Sequence, residues 1–192
     1  VYVGGGQDRD QRTVARDLVE TKRDAAERFV ELDRIMLAVC GGYQLLGESY
    51  ELGSERIQGL GLVDLRTVRV DGPRLIGPVA IKTDITGEQR TLAGFENHGG
   101  RTWLGPGVEA LGEVVAGHGN NGEDGFEGVL RGNLVGTYLH GPLLPKNAWL
   151  ADHLIETALR NAYGEEVGLT PLEDELETAA HAVALSAALS DR

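Results

Sequence analysis

The sequence contains one cysteine, Cys40, in a setting that favours a role as a nucleophile. It follows the apolar run 35–39, whose length and composition are typical of a strand that is buried on both faces. Small residues lie two positions before it and two positions after it, Ala38 and Gly42, which is the spacing of the sharp strand-to-helix turn called a nucleophile elbow. At a helix start, unpaired backbone N–H groups favour a thiolate over a thiol and can stabilise an oxyanion. The alternative interpretation is a small buried residue without a chemical role.

A cysteine that attacks an amide needs a group that accepts and returns a proton, and histidine does this best near neutral pH. The candidates are the five histidines His98, His118, His140, His153 and His181. Two of them lie within predicted amphipathic helices, and two lie in glycine-rich stretches. His140 differs because it ends the apolar run 134–139, so it would lie at the end of a strand and could face a neighbouring elbow. We therefore expect His140 to be the partner of Cys40.

The segments around these residues predict an α/β fold. The runs 1–3 and 35–39 are predicted strands, and they are joined by the glycine loop 4–6 and an amphipathic helical stretch over about 10–33. A strand, a helical crossover and a second buried strand are typical of a parallel sheet.

The rest of the chain predicts further strands and then two helices. Short apolar runs punctuated by glycine extend from about 51 to 137 and indicate strands, several of them antiparallel. The predicted helices cover about 147–163 and 171–188, and the second has an acidic first turn and an apolar stripe. The sequence shows no internal repeat or linker and so predicts a single domain over 1–192.

Composition narrows the class of protein. Thirty acidic residues against 18 basic ones leave a net charge of −12, which argues against nucleic acid or an anionic membrane as the main partner. One cysteine cannot form an internal disulfide or a multi-cysteine zinc site. No stretch approaches the roughly 20 apolar residues of a transmembrane helix. We expect a cytoplasmic protein that acts on a small polar substrate or a protein partner.

The elbow at Cys40 and the stretch 136–141 together resemble the class I glutamine amidotransferases, in the branch of the cobyric acid synthase glutaminase domains. Within that branch the chain is most similar to the GatD-type glutaminase subunits of lipid II isoglutaminyl synthases. The stretches that carry this second resemblance are 4–9, 94–102, 119–121 and 140–147.

The resemblance implies a three-layer, flavodoxin-like class I glutamine amidotransferase fold, with a central mostly parallel sheet and an antiparallel extension. In that fold the glycine loop follows earlier strands and a helix. We therefore expect a single glutamine amidotransferase domain over 1–192 that lacks its N-terminal strand and helix portion.

The resemblance also assigns roles to residues. It implies that Cys40 attacks the side-chain amide of L-glutamine, and that His140 acts as the base and then as the acid. It implies that Arg74 binds the α-carboxylate of glutamine, whereas the residues alone leave a solvated loop arginine as the alternative. The implied oxyanion donors are backbone groups of Gly5, Gly6 and Gly41. The further substrate-binding residues that it implies are Gln44, Asn97 and His98.

The implied partner is a MurT-like subunit of the Mur ligase family in a heterodimer. The ammonia would pass to that subunit, which would amidate the α-carboxyl of D-glutamate in lipid II to D-isoglutamine. ATP and magnesium are expected on the partner, and no cofactor or metal is expected in this chain. Contact with lipid II would also run through the partner.

One position departs from the wider class I pattern. Those enzymes usually have a glutamate two residues after the histidine to orient its ring, and here that position is Pro142. We expect the partner to supply a carboxylate in its place, with Glu96 or another acid of this chain as the alternative. Two other functions remain open, which are a glutaminase for cobyrinic acid amidation and a non-catalytic regulatory subunit.

Overall fold

The computed structural model describes residues 1–6, 8–52, 55–164 and 166–190. Within them it contains twelve strands, which are β1 (Tyr2–Val3), β2 (Met36–Val39), β3 (Ser49–Leu52), β4 (Glu55–Gln58), β5 (Leu65–Arg69), β6 (Leu75–Thr83), β7 (Arg90–His98), β8 (Gly100–Leu104), β9 (Gly112–Ala116), β10 (Phe126–Glu127), β11 (Val129–Arg131) and β12 (Leu134–Thr137). The six α-helices are α1 (Asp8–Arg16), α2 (Arg23–Glu31), α3 (Gly41–Gln44), α4 (Leu143–Lys146), α5 (Ala148–Tyr163) and α6 (Glu175–Ser190).

The central sheet has the strand order β1-β2-β12-β11. Its first three strands are parallel, and β11 pairs antiparallel with β12. In the pairing of β2 with β12, Val39 lies opposite Thr137. The two strands therefore end at the same edge of the sheet, and Cys40 follows Val39 there directly.

Both faces of the central sheet are covered by apolar side chains. The side chains of β2 alternate between two clusters, with Met36 and Ala38 in one and Leu37 and Val39 in the other. The α2 residue Phe29 packs against the first cluster, and Leu150 of α5 belongs to the second. Because successive side chains of β2 enter opposite clusters, the run 35–39 is apolar throughout. The alternation confirms a strand between two layers.

Two further four-stranded sheets extend the molecule, with the orders β10-β9-β6-β7 and β4-β3-β5-β8. Most of their pairings are antiparallel, including the nine-residue pairing of β6 with β7. The expected α/β architecture, with a mostly parallel central sheet and an antiparallel extension, is confirmed.

The helical stretch expected over about 10–33 is interrupted. A π-helical segment, Asp17–Thr21, follows α1, and Lys22 then leaves the helical region with φ −120° and ψ 0° before α2 begins. Such a segment breaks the regular hydrogen-bond ladder, so one predicted helix becomes two. No helix in the described part of the chain combines the length and the apolar character needed to cross a bilayer.

Candidate active site

Cys40 lies in a strained turn between β2 and α3. Its backbone has φ 54° and ψ −110°, a region that non-glycine residues rarely adopt and that costs about 1–3 kcal/mol. The Cys40 N–H donates a hydrogen bond to the Thr137 carbonyl (2.8 Å), and the Cys40 carbonyl accepts one from the Gln44 N–H (3.1 Å). The neighbouring strand and the following helix thus hold the turn, which is the geometry of a nucleophile elbow.

Close approach of the glycine loop 4–6 requires small residues around Cys40. A Cβ on Gly42 would overlap the carbonyl oxygen of Val3, so only glycine fits there. A Cβ built on Gly5 would lie 3.0 Å from the Cys40 Cβ and 3.5 Å from the Gly41 nitrogen. The structure therefore brings the backbones of Gly5 and Gly41 together beside Cys40, as the predicted oxyanion site requires.

His140 follows β12 at the same edge of the sheet as Cys40. Its backbone exchanges two hydrogen bonds with Phe95, from the His140 N–H to the Phe95 carbonyl (2.9 Å) and from the Phe95 N–H to the His140 carbonyl (3.0 Å). The rings of the two residues meet edge to face, 6.2 Å apart. The position of His140 is therefore set by β7 as well as by β12.

The electrostatic setting of His140 favours its neutral form. Burial lowers its pKa, the nearby His98 and Arg74 lower it further, and Glu96 opposes the shift. Its Nε2 is buried, and the described residues provide no hydrogen-bond partner for it. A neutral imidazole with an available nitrogen is the state that a general base needs.

A cavity of about 60 Å³ lies beside Cys40. Six of the predicted site residues line it, which are Gly6, Cys40, Gly41, Gln44, Arg74 and His98. Gly5, Asn97 and His140 are predicted residues that do not line it. Lining residues that the motifs did not single out are Gln11, Tyr50, Glu51 and Arg69.

Arg74 lies just before β6 and is held by Asn97. Its Nε donates to the Asn97 side-chain oxygen (2.8 Å), and its Nη2 donates to the Asn97 carbonyl (2.9 Å). Asn97 thus orients the guanidinium at the cavity, and its own contact with the substrate stays a prediction. A fixed guanidinium at a cavity can bind a carboxylate through two hydrogen bonds.

Tyr138 contacts two of the predicted site residues, Gln44 and His98. Its hydroxyl accepts a hydrogen bond from Gln44 Nε2 (3.1 Å), and its ring stacks on His98 with 3.6 Å between the ring centres. Burial raises the pKa of Tyr138 to about 12, so the phenol is neutral. The His98 Nδ1–H donates to the Gly100 carbonyl (2.8 Å), which fixes the ring. Both residues are therefore held in one orientation at the cavity.

Glu96 is fully buried next to these groups. It accepts hydrogen bonds from the backbone and the ring of His118 (2.7 and 2.9 Å) and from the Gly119 N–H (2.9 Å), and His98 Nε2 lies 3.6 Å from it. Burial raises the pKa of Glu96, but the interactions with His98 and His118 outweigh this effect and lower it overall. Within the described ranges Glu96 makes no hydrogen bond to His140, so it influences that ring through its charge alone.

Glu127 is a buried carboxyl that the sequence motifs did not reveal. Its oxygens bond to the Thr137 hydroxyl (2.9 Å) and to the Tyr138 N–H (2.6 Å), at the end of β12 just before His140. Burial raises its pKa to about 8. An acidic residue in a glycine-rich stretch gives no local sign of burial, because the contacts come from another strand.

Pro142 occupies the position at which class I enzymes usually have the glutamate that orients the histidine. Pro142 is the residue that directly precedes α4, and both it and Gly141 are exposed. The two residues that follow His140 are therefore accessible at the position where class I enzymes usually have a glutamate. Among the residues that the structure describes, no group of three or more His, Cys, Asp or Glu side chains could hold a metal ion.

Comparison with known proteins identifies the family. Residues 1–148 match the model of the CobB/CobQ-like glutamine amidotransferase domain. The chain is 43% identical over 176 residues to the GatD subunit of the glutamine-hydrolysing lipid II isoglutaminyl synthase of Streptococcus pneumoniae. It is 45% identical over 159 residues to the GatD subunit of Staphylococcus aureus. A probable cobyric acid synthase of Methanosphaera stadtmanae is 33% identical over 146 residues.

The alignments cover different shares of these proteins. They span 91%, 82% and 68% of this chain, and 66%, 62% and 28% of the respective relatives. The chain thus covers less than two thirds of the length of the GatD relatives that it matches. The likeness to GatD subunits that the motifs predicted is confirmed, as is the class I glutamine amidotransferase fold. The chain belongs to the CobB/CobQ-like glutamine amidotransferase family.

Proposed function

We propose that this chain is the glutaminase subunit of a lipid II isoglutaminyl synthase. It hydrolyses L-glutamine and delivers the ammonia to a MurT-like subunit of the Mur ligase family, in a heterodimer. The partner uses ATP and magnesium to amidate the α-carboxyl of D-glutamate in lipid II, in the cytoplasm. The observation that supports this most is the position of the Cys40 elbow and His140 at the ends of two paired parallel strands, beside a cavity that Arg74 lines.

In the first step glutamine binds with its α-carboxylate on Arg74 and its side-chain amide towards Cys40. The Cys40 thiolate attacks the amide carbon, and the electron pair of the C=O bond moves to the oxygen. The backbone N–H groups at Gly41 and in the loop of Gly5 and Gly6 stabilise the negative charge, at about 3 kcal/mol for each donor.

In the second step the tetrahedral intermediate collapses. His140 carries the proton that the thiol loses to the leaving nitrogen, and the C–N bond breaks to release ammonia. The product on Cys40 is a thioester. A water molecule that His140 deprotonates then attacks the thioester, which releases L-glutamate and restores the thiol.

The partner completes the site with a carboxylate that orients His140. The exposed Gly141 and Pro142 leave room for an approaching chain beside the ring. The alternative within this chain, Glu96, is already engaged by His118 and Gly119. A carboxylate of the partner, which would accept a hydrogen bond from the His140 ring, is therefore favoured.

The test uses the complex with its co-purified partner, identified by mass spectrometry. We expect Cys40→Ala to abolish glutamine-dependent amidation of lipid II and to preserve ammonia-dependent amidation, because the ligase forms its own acyl phosphate. Labelling with diazo-oxo-norleucine should modify Cys40 in the unaltered chain. A complex in which Cys40 takes up no label and Cys40→Ala retains glutamine-dependent activity would indicate a regulatory subunit. Amidation of cobyrinic acid in place of lipid II would assign the other glutaminase function.

A further inference from the structure

The side chain of Gln11 is buried beside the elbow although it is polar. Gln11 belongs to the first turn of α1, and only 5% of its surface is exposed. It lines the same cavity as Cys40 and Arg74. Its Oε1 is buried, and none of the described residues makes a hydrogen bond to it. A buried acceptor without a partner destabilises the folded protein, so such a group calls for a functional explanation.

The other end of the same carboxamide lies against the predicted oxyanion site. A Cβ on Gly41 would overlap Gln11 Nε2, and a Cβ on Gly6 would lie 3.9 Å from it. A side chain at position 41 would therefore displace the Gln11 carboxamide from its place beside the elbow. The carboxamide has its donor end near Gly41 and Gly6, and its acceptor end is unpaired.

We propose that Gln11 recognises the side-chain amide of the substrate glutamine by a reciprocal pair of hydrogen bonds. Gln11 Nε2 donates to the amide oxygen, which lies on the side of Gly41, and Gln11 Oε1 accepts a hydrogen bond from the amide N–H. The inference rests on the proposed glutaminase function and adds a residue that determines specificity. No covalent bond to Gln11 forms or breaks.

This pairing distinguishes glutamine from the product glutamate. A glutamate carboxylate has no N–H to donate, so its binding leaves Oε1 unpaired and places an anionic oxygen against it. A site that is built to hydrogen-bond a substrate group discriminates strongly against analogues that lack the group. Gln11 therefore favours glutamine binding and the release of glutamate.

The first experiment compares Gln11→Met with the unaltered chain in the complex. Methionine retains the length of the side chain and removes both hydrogen bonds. We expect kcat/KM for glutamine to fall at least about tenfold, and the ratio of the glutamate inhibition constant to the glutamine KM to fall by about the same factor. Labelling of Cys40 by diazo-oxo-norleucine, whose diazoketone has no amide N–H, should slow less than about threefold. Gln89→Met, an exposed glutamine in the turn before β7, is the matched control.

The second experiment detects the contact directly and does not depend on Gln11→Met being active. The side-chain amide signal of Gln11 is observed by nitrogen-15 NMR in Cys40→Ala and is assigned by its loss in Cys40→Ala with Gln11→Met. We expect L-glutamine to shift this signal and L-glutamate to leave it unchanged. An unchanged ratio of glutamate to glutamine affinity in Gln11→Met would overturn the proposal, and so would a Gln11 signal that stays unmoved while the Gln44 signal shifts. If L-glutamine shifts neither the Gln11 nor the Gln44 signal, it does not bind at this site, and the proposed glutaminase function would be contradicted as well.

Discussion

Asn97 holds Arg74 at two points, through its side-chain oxygen and its backbone carbonyl. The two residues come from different places, because Arg74 lies in the connection before β6 and Asn97 lies in β7. The antiparallel pairing of β6 with β7 places Ile76 opposite Asn97, which brings the guanidinium within reach. The orientation of Arg74 is thus a property of this strand pair.

Arg74→Ala should raise the KM for glutamine about 10- to 100-fold with a smaller change in kcat, because a bidentate bond to the α-carboxylate is lost. Asn97→Ala should have a weaker effect in the same direction, since the backbone carbonyl still holds Nη2. Steady-state kinetics of glutamine hydrolysis measure both effects. Arg66→Ala, which removes an arginine that packs over Trp103 away from the cavity, is the control. An unchanged glutamine KM in Arg74→Ala would be inconsistent with the assigned role.

The pH dependence of hydrolysis should report His140. The base must be neutral, and the pKa of His140 is lowered by burial and by the nearby His98 and Arg74. The acidic limb of the kcat/KM profile should therefore lie below about pH 6.5, the usual value for histidine. Removal of the opposing Glu96 charge by Glu96→Gln should move the limb to still lower pH. Glu88→Gln, an exposed turn variant, should leave the limb in place. A limb above the usual histidine value would show that another group controls it.

The isolated chain should hydrolyse glutamine more slowly than the complex. The reason is that Pro142 stands where class I enzymes usually have the acid that orients the histidine. A loss of about 10⁴-fold accompanies removal of the acid in a serine protease, so a decrease of at least about tenfold is a conservative expectation here. Rates of glutamate release by equal concentrations of the chain, with and without the partner, measure the effect. Equal rates would mean that the chain orients His140 by itself.

The buried carboxyl of Glu127 should make the stability of the chain depend on pH. Its pKa is raised by burial to about 8 in the folded state. Between its unfolded pKa near 4.3 and about 8, the unfolded chain releases the proton first, so the free energy of unfolding decreases as pH rises through this range. Denaturant titrations at pH 5 and pH 8 measure this decrease.

Glu127→Gln tests the origin of that pH dependence. The amide has the shape of the acid, can accept from the Tyr138 N–H and can bond to the Thr137 hydroxyl. We expect a smaller decrease in the free energy of unfolding between pH 5 and pH 8 than in the unaltered chain. Glu88→Gln should retain the full decrease. A variant at position 127 with the same pH dependence as the unaltered chain would show that other groups cause it.

Local patterns were sufficient to predict the turn at Cys40 and the strand end at His140. The apolar run before Cys40 and the small residues around it specify an elbow, because strand burial and turn sterics depend on near neighbours. The run before His140 specifies a strand end for the same reason. The helical stretch expected over about 10–33 is helical in the structure for most of its length, but the amphipathic pattern gave no sign of the π-helical segment that divides it.

The sequence by itself determined the family, through the resemblance of its motifs, and the α/β class. Residue type and short-range spacing also predicted which residues could act as nucleophile and base. Only the tertiary structure decided how those residues meet. The parallel pairing of β2 with β12 places Cys40 and His140 at one edge, and the contacts of Gln11, Asn97 and Glu127 join different elements of the fold. Such contacts depend on the register of strands and the docking of helices, and these are set by long-range packing that no local pattern encodes.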